Sequence, residues 1–381
     1  FEPLTILLIV FIKYWSHKMR LELQCEDHSH NKAVVGLSYS PNGKLVATSG
    51  ADKKICLYNT SSGSVQASLE GDHVMGINSC VWLTDSLLAS SSDDRTVKVW
   101  DIEQEKVISA FKTNQSVVYS LAINPLNKII LCGCVNGSVS MHHISTKDVV
   151  GNFIAQADAI VSIESHPDGT EILTAGQEGV VRLWDSANLG MCYQTIVPHY
   201  NPFKSTPLSC ASYTPNHNYV LASSLNSTHR LIPLRGGPTA SAVGVCDSSD
   251  NGSEVVQVVP EDASDVLQYV GHRNQKFSIT SSVYSNSFGD FIVSGSEDGK
   301  AYVWSLNGGE IQARTSADQG TVLAVAKSPI VEDRDQLVTA GSDGSVMFWG
   351  CVIGEDEKAT MVVEESDRGR EKACSDAAEE S

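Results

Sequence analysis

Two groups of residues in this 381-residue chain carry the side chains of a hydrolase: His73, Ser90 and Asp94, and again His272, Ser294 and Asp298. A serine hydroxyl, an imidazole and a carboxylate in series make an acyl-transfer triad when the arrangement is unique to one place. Here the parts recur. The turn residues Asp52, Asp94, Asn136, Glu178, Asn226, Asp298 and Asp343 follow one another at gaps of 42, 42, 42, 48, 72 and 45 residues. A device repeated along the chain is scaffold, so no catalysis is expected. The ten cysteines include no C-x-x-C pair, and no metal site or cofactor is expected from them. Cys132 and Cys134, the closest two, fall on one face of a strand-like run and read as reduced core residues. Asp93 is different. Its neighbour Asp94 holds the turn, which leaves Asp93 to attract a cationic ligand or only to be solvated.

The elements that position these residues are strands. After each turn residue comes an apolar/polar alternation, as in Val97-Lys98-Val99-Trp100, Val181-Arg182-Leu183-Trp184 and Val346-Met347-Phe348-Trp349. Before each turn lies a second strand, such as Leu45-Val46-Ala47-Thr48. Before that comes a third, often followed by a turn such as Ser40-Pro41-Asn42-Gly43. With an outer strand, each unit is a four-stranded antiparallel sheet of roughly forty residues, the size of a propeller blade. Seven units predict an all-β, seven-bladed propeller over 19–353. Met19–Cys25 alternates like an outer strand, whereas the seventh unit stops at Trp349 without one. The N-terminal strand is therefore expected to close blade seven.

An apolar content of 41% supports a real core. The net charge of -18 and pI near 4.9 argue against direct nucleic-acid binding but leave basic proteins as partners. Three segments fall outside the pattern. The stretch 235–265, rich in Gly, Ser, Asp and Val, is expected to be a disordered loop at the rim between blades five and six. The segment 354–381 is strongly acidic and is expected to be a disordered tail. Residues 1–18 contain the apolar run Leu4–Ile12, too short for a membrane span of about twenty residues and without signal-peptide features. We expect an artefact of the gene model there, with Met19 as the start; a truncated anchor or an added strand are the alternatives. No membrane association is expected.

The turn Asp, the pairs Trp100-Asp101 and Trp184-Asp185, and the 42-residue period together resemble the WD-repeat (WD40) family. The resemblance implies a hydrogen-bonded tetrad in each blade, most fully represented by His272, Ser294, Asp298 and Trp304, with His73, Ser90, Asp94 and Trp100 as a second set. Blade five ends in Leu231-Ile232 without Trp, so the repeats are degenerate. Within the family, the chain is most similar to the propeller subunit of complexes that methylate lysine four of histone H3 (COMPASS/MLL-type). The segments that carry this are His30–Val34, Ser40–Lys44, Ser91–Asp101, Gly271–Lys276 and Phe291–Asp298.

That resemblance implies a non-catalytic scaffold for chromatin-associated proteins, binding histone tails or a methyltransferase motif. It also implies a nuclear location, with the cytoplasm as the alternative. Its top cup would hold an arginine between two aromatic rings. By correspondence the cup is formed by Ala51, Asp93, Tyr119, Ser209 and Ser278. The second aromatic falls at Thr280, which cannot stack, and Val35, Asn78, Val135 and Gln177 also depart from the pattern. Loss of one stacking wall removes about 1–2 kcal/mol. On the opposite face a partner subunit would meet Asn216, Tyr219 and Leu231. Tyr219 and Leu231 equally suit core positions, and Asn216 suits a turn. An adaptor serving other clients, such as a ubiquitin-ligase receptor or a ciliary or splicing subunit, is the alternative.

Overall fold

Runs of Val, Ile, Leu and Thr separated by Gly, Asn and Asp turns favour short strands. The computed structural model describes residues 18–113, 116–126, 128–200, 205–234, 245–247, 255–260, 266–286, 289–316, 320–329 and 336–354, and within them all regular structure is β-strand. The strands form seven sheets whose inner strands are Val34–Tyr39, Ile77–Trp82, Val118–Asn124, Ile160–Ser165, Leu208–Tyr213, Ser281–Asn286 and Val322–Lys327. These define blades one to seven. Burial grades outward across each blade. The second strand of blade three, Ile129–Cys134, is buried at every position, whereas the outer strand of blade one, Val65–Leu69, is mostly exposed.

Each seam between neighbouring blades holds its own apolar cluster. Blades one and two share Ile55, Leu57, Ile77, Leu88 and Trp100, and blades seven and one share Val46, Tyr58, Val338 and Phe348. Trp100, Trp304 and Trp349, each on a third strand, are fully buried.

The ring is closed as the alternation at 19–25 predicts. Lys18–Asp27 pairs antiparallel with Val346–Gly354, Lys18 opposite Gly354 and Asp27 opposite Val346. Met19 and Leu21 then enter the seam between blades six and seven. Asp27 accepts the Tyr58 hydroxyl of blade one at 2.8 Å, and the Gln336 side chain bridges Gln24 and the Thr60 carbonyl. A Cβ at Gly350 would stand 2.4 Å from the Gln24 side-chain nitrogen, so any larger residue at this closure would make the Gln24 side chain move.

The insertion differs from expectation in two ways. It interrupts blade five rather than joining blades five and six: the chain leaves after Thr228–Pro233 and returns as Leu267–Tyr269, the outer strand of the same sheet. Its described part also contains strands. Val255–Pro260 runs parallel to Cys192–Tyr200, the fourth strand of blade four, and Val245–Asp247 pairs on its far side, which makes that sheet six-stranded. The physical reason lies in the valines. Val259 is fully buried with Leu234 and Val266 in the seam between blades four and five, and Gln257 accepts from Gln194 at 3.1 Å. The rest of 235–265, the apolar segment up to residue 17 and the acidic stretch from residue 355 lie outside the described residues.

Candidate peptide-binding faces

The hydrolase-like residues assemble fully in blade two. His73 Nδ1 lies 2.8 Å from Asp94, His73 Nε2 lies 2.8 Å from Ser90 Oγ, and Trp100 Nε1 donates to the same oxygen at 2.8 Å. With the proton on Nδ1 facing the carboxylate, Nε2 accepts from the serine hydroxyl, and the series runs without conflict from indole to carboxylate. It has triad geometry, but Ser90 is completely buried and its oxygen already receives the indole N–H. No acyl group can reach it, so the unit is a strut. Burial lowers the His73 pKa although Asp94 opposes it, which keeps the ring neutral. Burial alone would raise the Asp94 pKa, but Thr96 and His73 bring it below its ordinary value.

The set expected to be fullest, in blade six, is not assembled. Ser294 donates to the Gly295 carbonyl, Trp304 Nε1 to the Val270 carbonyl, and Tyr302 donates its hydroxyl to Asp298 at 2.6 Å. Neither ring nitrogen of His272 has a hydrogen-bond partner among the described residues. The ring instead stacks on His229 of blade five, with centroids 4.1 Å apart and planes 6° from parallel. Tyr302 has taken the carboxylate, and His229 has taken the imidazole. Other blades keep parts of the device. In blade one His30 joins Thr48 and Asp52, and in blade four Gln156 replaces the histidine between Thr174 and the Glu178–Arg182 pair.

The cup is built by two repeated backbone features. The first is a β-bulge in the inner strand of six blades, which leaves Val35, Asn78, Tyr119, Val161, Ser209 and Leu323 unpaired with the second strand. Bulges re-aim side chains. The second lies in the turn. The N–H of Ala51, Asp93, Val135, Gln177, Leu225, Glu297 and Ser342 each donates to a carbonyl of the loop leading into an inner strand, for example Asp93 to Gly76 at 3.0 Å and Glu297 to Arg273 at 2.8 Å. Together these features set two rings of side chains side by side.

Three of the expected cup residues are partly open on these rings: Ala51, Asp93 and Tyr119. Asp93 accepts from the Asn78 amide at 2.8 Å, and the same amide donates to the Val118 carbonyl beside Tyr119 at 3.1 Å. Asn78 thus ties the carboxylate to the aromatic across the blade boundary. Tyr119 is 39% exposed. Ser209 is placed differently from expectation: it is buried, accepts from Asn274 at 2.9 Å and donates to the Ser223 carbonyl, so it braces blade five against the following loop. Ser278 is exposed. Thr280 accepts the Val325 N–H at 2.9 Å and serves the seam.

An exposed aromatic that sequence reasoning missed is Phe277, on the same loop as Ser278. Glu297 holds that loop by accepting the N–H groups of Gln275, Lys276 and Phe277. Burial alone would raise the Glu297 pKa, but these amides and Arg273 keep it below the ordinary range. The pattern of an acidic residue facing three successive amides was readable only once the loop and turn were known to meet.

On the opposite face, Leu231 is buried in the cluster between blades five and six, and Tyr219 packs against that cluster. The core alternative therefore describes Leu231. Asn216 is exposed, and its carbonyl oxygen accepts from the Thr214 hydroxyl and the Asn218 N–H, as a turn residue does. No group of three or more His, Cys, Asp or Glu suited to a metal ion occurs among the described residues.

This fold, with buried struts and open loop ends, defines a propeller whose loop faces suit protein recognition. Comparison with known families gives the class its name. The WD domain, G-beta repeat family matches residues 21–59, 63–101, 147–185 and 264–305, and the anaphase-promoting complex subunit 4 WD40 domain matches 83–165. The chain is a WD40-repeat β-propeller protein. It is 24% identical to the WD repeat domain-containing protein 83 homolog of Dictyostelium discoideum, over 84% of this chain and 95% of that one. It is 22% identical to the WD repeat-containing protein 26 homolog of Arabidopsis thaliana, over 91% of this chain and 54% of the relative. Mouse jouberin is 26% identical over 72% of this chain, but the match spans only 25% of jouberin.

Proposed function

We propose that this scaffold receives a peptide bearing a cationic side chain in its top cup, as a nuclear subunit of a histone H3 lysine-four methyltransferase complex. The observation that carries the cup reading is the Asp93–Asn78–Tyr119 arrangement: a carboxylate and an exposed ring, held together across two blades. A guanidinium or ammonium between them would gain charge pairing and cation–π attraction, the latter about 0.5–2 kcal/mol. The choice of complex rests on the sequence resemblance to WD repeat-containing protein 5. The test is titration with an arginine-bearing histone H3 tail peptide, using wild type, Asp93→Asn and Tyr119→Ala. Binding that weakens in both variants supports the reading. Absence of binding at high micromolar peptide removes the histone role.

A second reading is an adaptor for other clients. Thr280 favours it, because its hydroxyl is tied to Val325 and a threonine side chain supplies no ring there. The relatives named above also belong to differently named proteins. Co-purification with identification by mass spectrometry separates the two readings: methyltransferase subunits support the first, and an unrelated assembly supports the second.

A further inference from the structure

The outermost strand of a blade offers N–H and C=O groups to any strand that approaches, and such edges are usually blunted by charge, shortness or cover. Most outer strands of this ring are blunted. Lys106–Lys112 of blade two, Ile311–Arg314 of blade six and Lys18–Asp27 of blade seven carry charged residues. Leu267–Tyr269 of blade five is only three residues long, and Cys192–Tyr200 of blade four is covered by Val255–Pro260. Val65–Leu69 of blade one has no charge, but Val65 is its one exposed large apolar residue. The outer strand of blade three, Val149–Ile154, is open. It reads Val-Val-Gly-Asn-Phe-Ile, and Val149, Val150 and Ile154 are 58%, 44% and 68% exposed. Among the described residues no strand pairs with its outer side.

The apolar surface continues onto blade four. Leu189 lies against Gly151, where a Cβ would stand 2.2 Å from its Cδ1, and Leu189 and Met191 are both exposed. No Asp, Glu, Lys or Arg occurs from residue 149 to 157 or from 186 to 203. The nearest charges along the chain are Lys147 and Asp148 before the strand and Asp158 after it. Asp185, at the base of the Leu189 turn, is engaged by the N–H groups of Ala187 and Asn188 and by the Asn188 amide. The ladder fixes which backbone groups look outward. Ile154 stands opposite Ser138, and the Ala155 N–H donates to the Gly137 carbonyl at 2.8 Å. By the alternation of an antiparallel pair, the N–H and C=O of Asn152 and Ile154 face away from the blade.

We propose that this edge pairs with the same edge of a second copy of the chain, antiparallel about a two-fold axis at Asn152. A strand that meets its own copy across such an axis must be complementary to itself. With Asn152 opposite Asn152 of the second copy, Val150 lies opposite Ile154, and Asp148 lies opposite the uncharged Gln156, so no like charges meet across the pair. The charge of the whole chain selects the place. At -18 each, two copies repel wherever their acidic surfaces approach, and the uncharged flank of blades three and four is where that opposition is least. The neighbouring blade shows the same chemistry within one chain: the strand added to its outer edge, Val255–Pro260, is Val-Val-Gln-Val-Val-Pro, also without a charge.

The test is sedimentation equilibrium of the full chain between about 1 and 100 µM. Wild type is expected to pass from monomer to dimer in this range, and more readily as added salt screens the net charge. Val150→Lys/Ile154→Lys sets lysine against lysine in this register and should raise the dissociation constant of the dimer about tenfold or more. Val150→Lys/Ile154→Glu sets lysine against glutamate and should bring the dissociation constant back to within about threefold of wild type. Both replaced side chains are exposed, so in dilute solution all three proteins should unfold at the same urea midpoint, and a lost dimer is then not a lost fold. A wild-type chain that stays monomeric at about 100 µM overturns the proposal and leaves the edge to a strand of another protein. A dimer that Val150→Lys/Ile154→Lys does not weaken places the interface elsewhere and overturns it too. A Val150→Lys/Ile154→Glu chain as weakly dimeric as the double lysine variant overturns the pairing about Asn152.

Discussion

Ser90 and Ser294 stand at the same position of blades two and six, and replacing each by alanine should have very different consequences. Ser90 Oγ receives the Trp100 indole N–H and joins His73 Nε2, both at 2.8 Å and both buried. Ser90→Ala leaves two buried polar groups without a partner. At about 1–3 kcal/mol for each stranded group, with some relaxation, the loss of stability is about 2–4 kcal/mol. Among the described residues Ser294 Oγ bonds the neighbouring Gly295 carbonyl alone, and Trp304 is served by Val270. Ser294→Ala removes one local hydrogen bond, and about 1 kcal/mol or less should be lost. Urea unfolding followed by tryptophan fluorescence, wild type and both variants side by side, reads the difference as a shift of midpoint. Equal shifts in the two variants would refute the assignment of the working strut to blade two. A larger shift in Ser294→Ala would restore the set that sequence correspondence favoured.

Stability should fall with pH between about 6.5 and about 4, because burial lowers the pKa of His142, His199 and His272 to about 4 in the folded chain. In that window the unfolded chain binds protons that the folded chain does not, so unfolding midpoints measured from pH 8 down to pH 4 should decline; a flat profile would contradict the neutral buried rings. Val259→Asp should destabilise by about 3 kcal/mol or more, since it puts a carboxylate in the seam between blades four and five; an unchanged urea midpoint would return the insertion to the status of a loose loop. Tyr119→Ala should leave the unfolding midpoint within about 0.5 kcal/mol of wild type while weakening cationic-peptide binding about three- to tenfold, measured by calorimetry.

The parts of this fold that were legible in the sequence depend on neighbours a few residues away. A turn Asp or Asn accepts the N–H two residues on, as Asp52, Asp94, Asn136, Asp298 and Asp343 all do, and that local bond fixes residue type and spacing together. The closing strand was legible because alternation over Met19–Cys25 is also local. What escaped depends on distant neighbours. Nothing near His272 announces that His229, 43 positions earlier, will stack on it, or that Tyr302 will claim Asp298. The strand Val255–Pro260 was hidden among Gly, Ser and Asp, and only its burial against Leu234 and Val266 distinguishes Val259 from a solvated valine. Ser209 was placed in the cup by correspondence, but Asn274, reached across 65 residues, decides that it faces inward.

Three successive residues of the blade-two turn now have three separate tasks. Asp93 is fixed by its N–H to Gly76 and turns its carboxylate to the cup. Asp94 points inward to His73 and Thr96 and holds the blade. Arg95 takes the positive φ of the turn, and its side chain is exposed. The middle residue holds the buried strut of its blade, so the two flanking columns can vary more freely than it can. Blade by blade they do: the inner column reads Ala51, Asp93, Val135, Gln177, Leu225, Glu297 and Ser342, and the outer column is glycine except where it carries Lys53, Arg95 or Ser227. Asp93→Ala and Arg95→Gly, two positions apart, should therefore both leave the protein folded, and only Asp93→Ala should weaken cationic-peptide binding. If Arg95→Gly weakened that binding as much as Asp93→Ala, the two columns would be one site.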